Sequence, residues 1–235
     1  MHYLFCYNYY GDCMKKLFNL LKIKPNDNKY YITAFQHSSY VNENNLKSDY
    51  ERLEFLGDAV LELVISDYLF KNSDVKEGDM TKIRASYVCE NALYEYSKFL
   101  NLSDYIKVGH GEEQDGGRFK KVILADIFEA LMGAIYLDLG FETAKKVITW
   151  VVIPYIEDPK VTFFSDYKSA LQEFVQTEQR SLVYEVIDEE GPAHNKKFTI
   201  IVKVDDIVYG KGIASSKKEA EQEAAKDALA KLALK

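Results

Sequence analysis

The feature that most constrains this chain is an apolar stretch with regularly spaced acids, which runs from Tyr50 to Ile65. It has no Pro and one Gly, and its many Leu, Glu and Ala residues predict a helix. Helical spacing places Glu51, Glu54 and Asp58 on one stripe. Apolar residues cover most of the rest, which predicts a buried helix; they are Leu53, Phe55, Leu56, Ala59, Val60 and Leu63. Acids on a buried helix repel one another and are costly to desolvate unless a positive charge lies between them. The alternative is an acidic face that points into water.

A second apolar stretch, from Leu124 to Tyr136, repeats this pattern with Asp126 and Glu129 three residues apart. Two buried helices, each with clustered acids and no basic residue in register, predict that these acids converge on a divalent cation. Carboxylate oxygens without Cys or His are hard ligands, which favours magnesium or manganese over zinc.

Three motifs follow one another along the chain: HSSY at residues 37–40, ERLEFLGDAVL at 51–61 and ADIFEA at 125–130. In sequence and order they resemble the conserved motifs of the ribonuclease III family. The members of that family are endonucleases that cut double-stranded RNA. Tyr50 stands where the family usually has Asn, and Ala125 where it more often has Gly. Neither departure removes an acid.

The resemblance implies hydrolysis of phosphodiester bonds in double-stranded RNA by two Mg²⁺ ions, for which Mn²⁺ would substitute. Two such ions supply an activated water and charge relief on the leaving oxygen, so no protein nucleophile is needed. Glu54, Asp126 and Glu129 are the expected metal ligands, and Asp58 ligates through water or positions the attacking water. The products would carry 5′-phosphate and 3′-hydroxyl ends with short 3′ overhangs, and precursor rRNA and some mRNAs are the implied substrates.

The resemblance also implies a homodimer, because one site cuts one strand. Phe55 matches the position that packs across the dimer in relatives, although a Phe buried within its own chain is the alternative. Glu51 and Glu77 are expected at the periphery of the site.

The first domain is predicted to be all-α, because every element before residue 157 has helical character. Further helices are expected at 30–40, from Lys82 to about Leu100, and at 141–155, with Trp150 in the core. His37 is expected to have a structural role. Residues 108–118 are rich in Gly, yet no strand precedes them and acids interrupt the run, which favours a helix–helix connector over a nucleotide site.

The sequence period changes after a break at residues 158–165. A helix at 166–179, strands at 182–188, 197–204 and 207–213, and a helix at 216–232 resemble a double-stranded-RNA-binding domain, with a hairpin turn at Asp205–Asp206. The predicted protein is therefore multidomain. An all-α endonuclease domain (1–157, of which 1–13 form a poorly ordered extension) precedes a small α+β domain of order α-β-β-β-α (166–235).

The second domain has polar residues suited to the shape of an RNA duplex. Ser169, Gln172 and Gln176 share one helical face and suit 2′-hydroxyl groups and base edges in a minor groove, and His194 would reach a second minor groove. Lys217 and Lys218 begin the last helix, where backbone N–H groups also favour phosphate. A solvated lysine pair is the alternative.

Composition limits the other function classes. A net charge of −7 is unfavourable for a nucleic-acid binder, so local basic clusters must matter more than the total. No apolar run reaches the length of a membrane span, the start lacks a secretory signal, and three cysteines without metal spacing predict reduced thiols and a cytoplasmic protein. No nucleotide cofactor is expected. The rival function is a catalytically silent RNA-binding protein, although such relatives lose acids that this chain keeps.

Overall fold

The computed structural model describes residues 14–158, 160–161, 163, 167–177, 179–191 and 196–232. They form two compact units that divide between residues 164 and 165. The predicted extension at 1–13, parts of the predicted linker and His194 lie outside the described residues.

The first unit is helical, which confirms the predicted all-α domain. Residues 14–21 form helix α1. The further helices are α2 (Asn28–Ala34), α3 (Ser38–Glu43), α4 (Glu51–Asn72), α5 (Glu77–Tyr87), α6 (Glu90–Phe99), α7 (His110–Gln114), α8 (Lys121–Leu139) and α9 (Phe141–Glu157). Short 3-10 turns lie at Leu102–Asp104 and Gly117–Phe119.

Helix α8 lies at the centre of this unit, because most of its residues are buried. Helix α4 crosses it at backbone contact. A Cβ atom at Gly57 would lie 1.8 Å from the carbonyl oxygen of Glu129, and one at Gly133 would lie 2.3 Å from that of Leu53. Only glycine fits at such a crossing, and the crossing brings the acids of α4 against those of α8.

Two helices predicted as continuous are each broken. The predicted helix at 30–40 ends at Ala34 and resumes at Ser38, because Gln36 forms a β-bridge with Lys107 and the His37 side chain accepts a hydrogen bond from the backbone N–H of Ser39. The predicted helix from Lys82 to Leu100 begins earlier, at Glu77, and is divided into α5 and α6. At this break the carbonyl oxygen of Tyr87 accepts a hydrogen bond from the Tyr96 hydroxyl (3.1 Å). The predicted connector at 108–118 contains α7 and part of a 3-10 turn.

Helix α4 is not buried on every side, contrary to the prediction. Phe55, Leu63 and Phe70 are 82%, 56% and 76% exposed, and Ala59 is exposed between them. Their spacing puts them on one helical face, here called the α4 apolar stripe (Phe55, Ala59, Leu63 and Phe70). Trp150 was also predicted wrongly: it is 42% exposed and packs against Phe99 at a ring-centroid distance of 5.5 Å.

The second unit has the predicted α-β-β-β-α order. Its elements are α10 (Tyr167–Thr177), β1 (Leu182–Glu190), β2 (Lys197–Val204), β3 (Ile207–Ala214) and α11 (Lys217–Leu232). The strands form an antiparallel sheet in the order β1-β2-β3, and the φ angles of Asp205 and Asp206 are +49° and +63°, as a tight hairpin turn requires. Ser216 caps α11, because its hydroxyl accepts a hydrogen bond from the backbone N–H of Glu219 (3.2 Å).

None of the helices in the described ranges combines the length and the hydropathy that a membrane span needs.

Candidate functional site

The crossing of α4 and α8 brings four acids of the sequence prediction together. Glu54 and Asp58 lie on α4 to either side of Gly57, and Asp126 and Glu129 lie on α8. Glu54, Asp126 and Glu129 are partly buried, whereas Asp58 is exposed. The charges of Glu54, Asp58 and Asp126 all act on Glu129, and the four acids are here called the acidic cluster.

The electrostatics of the acidic cluster show that its members repel one another. Burial, together with the charges of Asp126, Glu51 and Asp58, raises the pKa of Glu54 to about 7. Burial raises the pKa of Glu129 to about 8, and the charges of Asp58, Glu54 and Asp126 contribute. Burial also raises the pKa of Asp126, and the pKa of Asp58 is raised by partial desolvation of its carboxylate, although the residue as a whole is exposed, and by the charge of Glu62. Such shifts mark acids that lack a cationic partner.

The donor set suits a hard divalent cation. It consists of carboxylates without His or Cys, which Mg²⁺ and Mn²⁺ accept and zinc disfavours. Among the residues that the structure describes, no three His, Cys, Asp or Glu side chains are gathered closely enough to form a ready-made metal site. The acidic cluster thus fits such a cation by charge and donor type, but its side chains do not lie close enough together to coordinate one ion.

Tyr50 is a residue of this site that the sequence reasoning missed. Its hydroxyl donates a hydrogen bond to Asp126 Oδ2 at 2.9 Å, and its side chain is 5% exposed. Burial and the charge of Asp126 raise the pKa of Tyr50, so the hydroxyl stays a donor. The only signal in the sequence was that Tyr50 departs from the Asn usual before the signature motif.

Further acids lie around the cluster. The charge of Glu51 contributes to the raised pKa values of Glu54 and Asp126, which fits its predicted peripheral place. Two further acids were not predicted. The charge of Glu62 contributes to the raised pKa of Glu129, and the charge of Glu90 contributes to that of Asp126. Glu77 begins α5 and accepts a hydrogen bond from the Thr81 hydroxyl (3.2 Å). No described contact links Glu77 to the acidic cluster.

The predicted RNA-binding residues of the second unit are at its surface. Ser169, Gln172 and Gln176 are exposed on α10. Lys217 and Lys218 are exposed at the start of α11, as predicted. Lys217 Nζ, however, lies 2.7 Å from Glu189 Oε1, and Lys196 Nζ lies 2.8 Å from Glu189 Oε2.

Comparisons with known proteins agree with this arrangement. Residues 27–156 match the model of the Ribonuclease-III-like family, and residues 167–232 match that of the double-stranded RNA binding motif. The chain belongs to the ribonuclease III family. Ribonuclease 3 of Streptococcus pyogenes serotype M5 (strain Manfredo) is 48% identical over 227 residues, which cover 93% of this chain and 99% of that protein.

A solved structure supports the ribonuclease III fold of the first unit. The nuclease domain of ribonuclease III from Campylobacter jejuni is 40% identical, with a TM-score of 0.56 over 60% of this chain and 96% of that one. That structure concerns flexibility in a region involved in dimer formation of the Campylobacter nuclease domain. A ribonuclease III nuclease domain joined to a double-stranded-RNA-binding domain makes this chain a double-stranded-RNA endoribonuclease.

Proposed function

We propose that this ribonuclease III family member hydrolyses double-stranded RNA in a reaction that depends on two Mg²⁺ ions, for which Mn²⁺ substitutes. Glu54, Asp126 and Glu129 hold the cations, and Asp58 positions the attacking water. The products carry 5′-phosphate and 3′-hydroxyl ends with short 3′ overhangs. Precursor rRNA and some mRNAs are the proposed substrates, in the cytoplasm.

The observation that supports this proposal is the meeting of four acids at the α4–α8 crossing, with pKa values of about 7 for Glu54 and about 8 for Glu129. Carboxyl groups with these raised pKa values stay partly protonated near neutral pH, and they would lose those protons to solvent on binding a divalent cation. When bound, divalent cations supply an activated water and neutralise charge on the leaving oxygen. The role of the chain is to bind the cations at one place. Its carboxylates repel one another when no cation is bound.

The second domain is proposed to hold the duplex by its shape. Ser169, Gln172 and Gln176 present neutral hydrogen-bonding groups to a minor groove, and His194 reaches a second one. Lys217 and Lys218 bind phosphate at the start of α11. Because these groups do not read base identity, sequence preference should be weak and salt dependence appreciable.

A homodimer is proposed from the α4 apolar stripe. Three large apolar residues that are more than half exposed on one helical face are typical of an interface rather than of a solvated surface. Phe55 is the most exposed of them, which favours a contact with a second copy over burial within its own chain. Glu51 and Glu77 remain proposed as peripheral residues of the site. The domain limits 1–157 and 166–235, with a linker of 158–165, stay a prediction.

The experiment is to incubate a perfect RNA duplex in Mg²⁺ with the wild-type protein and with Glu129→Gln. We expect the wild type to cut, and the variant to bind duplex with unchanged affinity but to cut at least about 100-fold more slowly, because a ligand of the cations is lost. Glu142→Gln, which changes an exposed acid on α9, serves as the matched control and should cut like the wild type. Ligation of the products tests for the 5′-phosphate.

The rival function is RNA binding without cleavage. The acidic cluster disfavours it, because all four acids are present and the charges of the other three act on Glu129. A wild-type protein that binds duplex in Mg²⁺ and leaves it intact would establish the rival and refute the proposed chemistry.

A further inference from the structure

Tyr50 connects the two helices that carry the acids. It occupies the N-cap position of α4, and its backbone carbonyl accepts hydrogen bonds from the backbone N–H groups of Leu53 (2.8 Å) and Glu54 (3.0 Å). Its side chain makes no capping bond and instead reaches α8, where the hydroxyl donates to Asp126 Oδ2 at 2.9 Å. One residue thus starts the helix of Glu54 and holds the carboxylate of Asp126.

The Tyr50 ring is fixed by a second set of contacts. Its backbone N–H donates to the Gln36 carbonyl (3.1 Å), and its ring packs on that of His37 at a centroid distance of 5.8 Å. The segment from Gln36 to His37 is itself held by Lys107, whose backbone pairs with it on both sides. A ring that is 5% exposed and held by these contacts has little rotamer freedom.

The contact distinguishes the two oxygens of Asp126. Within the described residues, Asp126 is the only member of the acidic cluster that accepts a hydrogen bond from another side chain, and it does so through Oδ2 alone. Oδ1 would therefore be the oxygen of Asp126 that binds a cation. A group that fixes the orientation of a metal-binding side chain without touching the metal raises affinity, because the ligand is already oriented before the ion arrives.

The geometry points to Tyr50 as a positioning residue, whose hydroxyl holds the Asp126 carboxylate through Oδ2 and leaves Oδ1 as the oxygen that would bind a divalent cation. This inference rests on the proposed metal site and deepens it. It predicts that loss of the hydroxyl weakens cation binding before any RNA is present, and that high metal concentration restores cleavage.

The test compares Tyr50→Phe with a matched control. Tyr31→Phe removes the same kind of bond, because the hydroxyl of the fully buried Tyr31 donates to Asp138 Oδ2 at 3.0 Å, and Asp138 is bound to residues Asn26 and Asp27 rather than to the acidic cluster. Binding of Mn²⁺ to the full chain is measured without RNA, by the loss of the free-ion signal in electron paramagnetic resonance. Thermal melting in EDTA checks that both variants are folded.

We expect Tyr50→Phe to weaken Mn²⁺ binding by about 10- to 100-fold, and Tyr31→Phe to leave it within about twofold of the wild type. The Mg²⁺ concentration for half-maximal cleavage should rise in Tyr50→Phe alone, while kcat at saturating Mg²⁺ returns close to the wild-type value. A purely structural defect would not be rescued by Mg²⁺.

Two results would overturn the inference, and they are distinguishable. If the wild type binds Mn²⁺ and Tyr50→Phe binds it equally well, the positioning role is wrong while the metal site stands. If the wild type binds no Mn²⁺, the metal site itself is refuted, and the role of Tyr50 falls with it.

Discussion

At the scale of single residues, the proposed metal-binding role of Glu129 conflicts with the stability of the folded protein. It is partly buried on α8 and surrounded by Asp58, Glu54 and Asp126, so its ionised form is disfavoured in the folded protein. In the unfolded chain the same carboxyl is solvated and ionises at an ordinary pKa of 4.5. The folded protein therefore holds a proton that the unfolded chain has lost, over the range from about 4.5 to about 8.

This difference predicts that metal-free protein loses stability as the pH rises. The contribution of Glu129 is fully present below pH 4.5 and is lost as the pH rises through about 8. Glu129→Gln removes the titration, so we expect its Tm in EDTA to exceed that of the wild type increasingly between pH 5 and pH 8. Each kcal/mol of difference in the free energy of unfolding corresponds to a difference of about 2–4 °C in Tm for a chain of this size.

The measurement is a series of thermal melts in EDTA across this pH range, repeated with Mg²⁺. Mg²⁺ should raise the Tm of the wild type most at high pH and should raise that of Glu129→Gln much less. Parallel Tm profiles for the two proteins in EDTA would contradict the assignment of a raised pKa to Glu129.

At the scale of elements, the crossing of α4 and α8 determines whether the acidic cluster exists. Gly57→Ala would place a Cβ atom 1.8 Å from the Glu129 carbonyl oxygen, so the helices must separate. We expect a loss of at least about 1–3 kcal/mol in the free energy of unfolding, together with a loss of cleavage.

Gly78→Ala on α5 is the control, because nothing lies within 4 Å of its Cβ position, and it should be neutral or mildly stabilising. Equal melting of the two variants would contradict the close crossing.

In the second domain, β1 supplies an acid that pairs with Lys217, one of the lysines proposed to bind RNA phosphate. Glu189 holds Lys217 and Lys196 at once, and these two partners lower its pKa to about 2. If Lys217 binds phosphate as proposed, the phosphate has to displace Glu189. Glu189→Gln frees both lysines, so we expect duplex affinity to rise by about two- to fivefold, since exposed ion pairs are weak, and the salt dependence to become steeper.

The control for this prediction lies on the same strand. Glu185 pairs with Lys203, so Glu185→Gln makes the same chemical change at another ion pair of the sheet and should leave duplex affinity unchanged. Filter binding across a salt series measures both variants. Equal affinities for Glu189→Gln and the wild type, with equal salt slopes, would show that Lys217 does not contact phosphate.

The elements also show what local sequence could and could not predict. The strands and the Asp205–Asp206 turn were predicted nearly to the residue, because alternation and turn residues act over short distances. The breaks near His37 and Val88 were missed. The first break depends on a β-bridge from Gln36 to Lys107, which is far along the chain. At the second break, the Tyr96 hydroxyl donates a hydrogen bond to the Tyr87 carbonyl, a contact that helical periodicity does not predict. The acids could be named from spacing, whereas the Tyr50–Asp126 contact depends on the crossing of two distant helices.

At the scale of the whole molecule, the exposed face of α4 shows why an apolar pattern overestimated burial. The sequence of α4 predicted a helix that is apolar nearly all round, and a single chain covers only the sides that meet α8, α9, α5 and α2. The α4 apolar stripe remains exposed in one copy. A pattern of this kind reports what is buried in the functional assembly, and that assembly is proposed to be a homodimer.

Phe55→Glu tests this proposal. A fully buried Phe contributes about 1.5–3 kcal/mol, and a two-fold interface contains each residue twice, so the dimer dissociation constant should rise by a factor on the order of 100 to 10,000. Analytical ultracentrifugation should find a dimer for the wild type and a monomer for the variant. Double-strand cleavage should fall as the dimer dissociates, because each site is proposed to cut one strand, while Mn²⁺ binding to each chain persists. Val208→Glu, which adds the same charge at a residue 52% exposed on β3, should remain dimeric and active. A wild type that sediments as a monomer while it cuts both strands would refute the homodimer and leave the α4 apolar stripe to another partner.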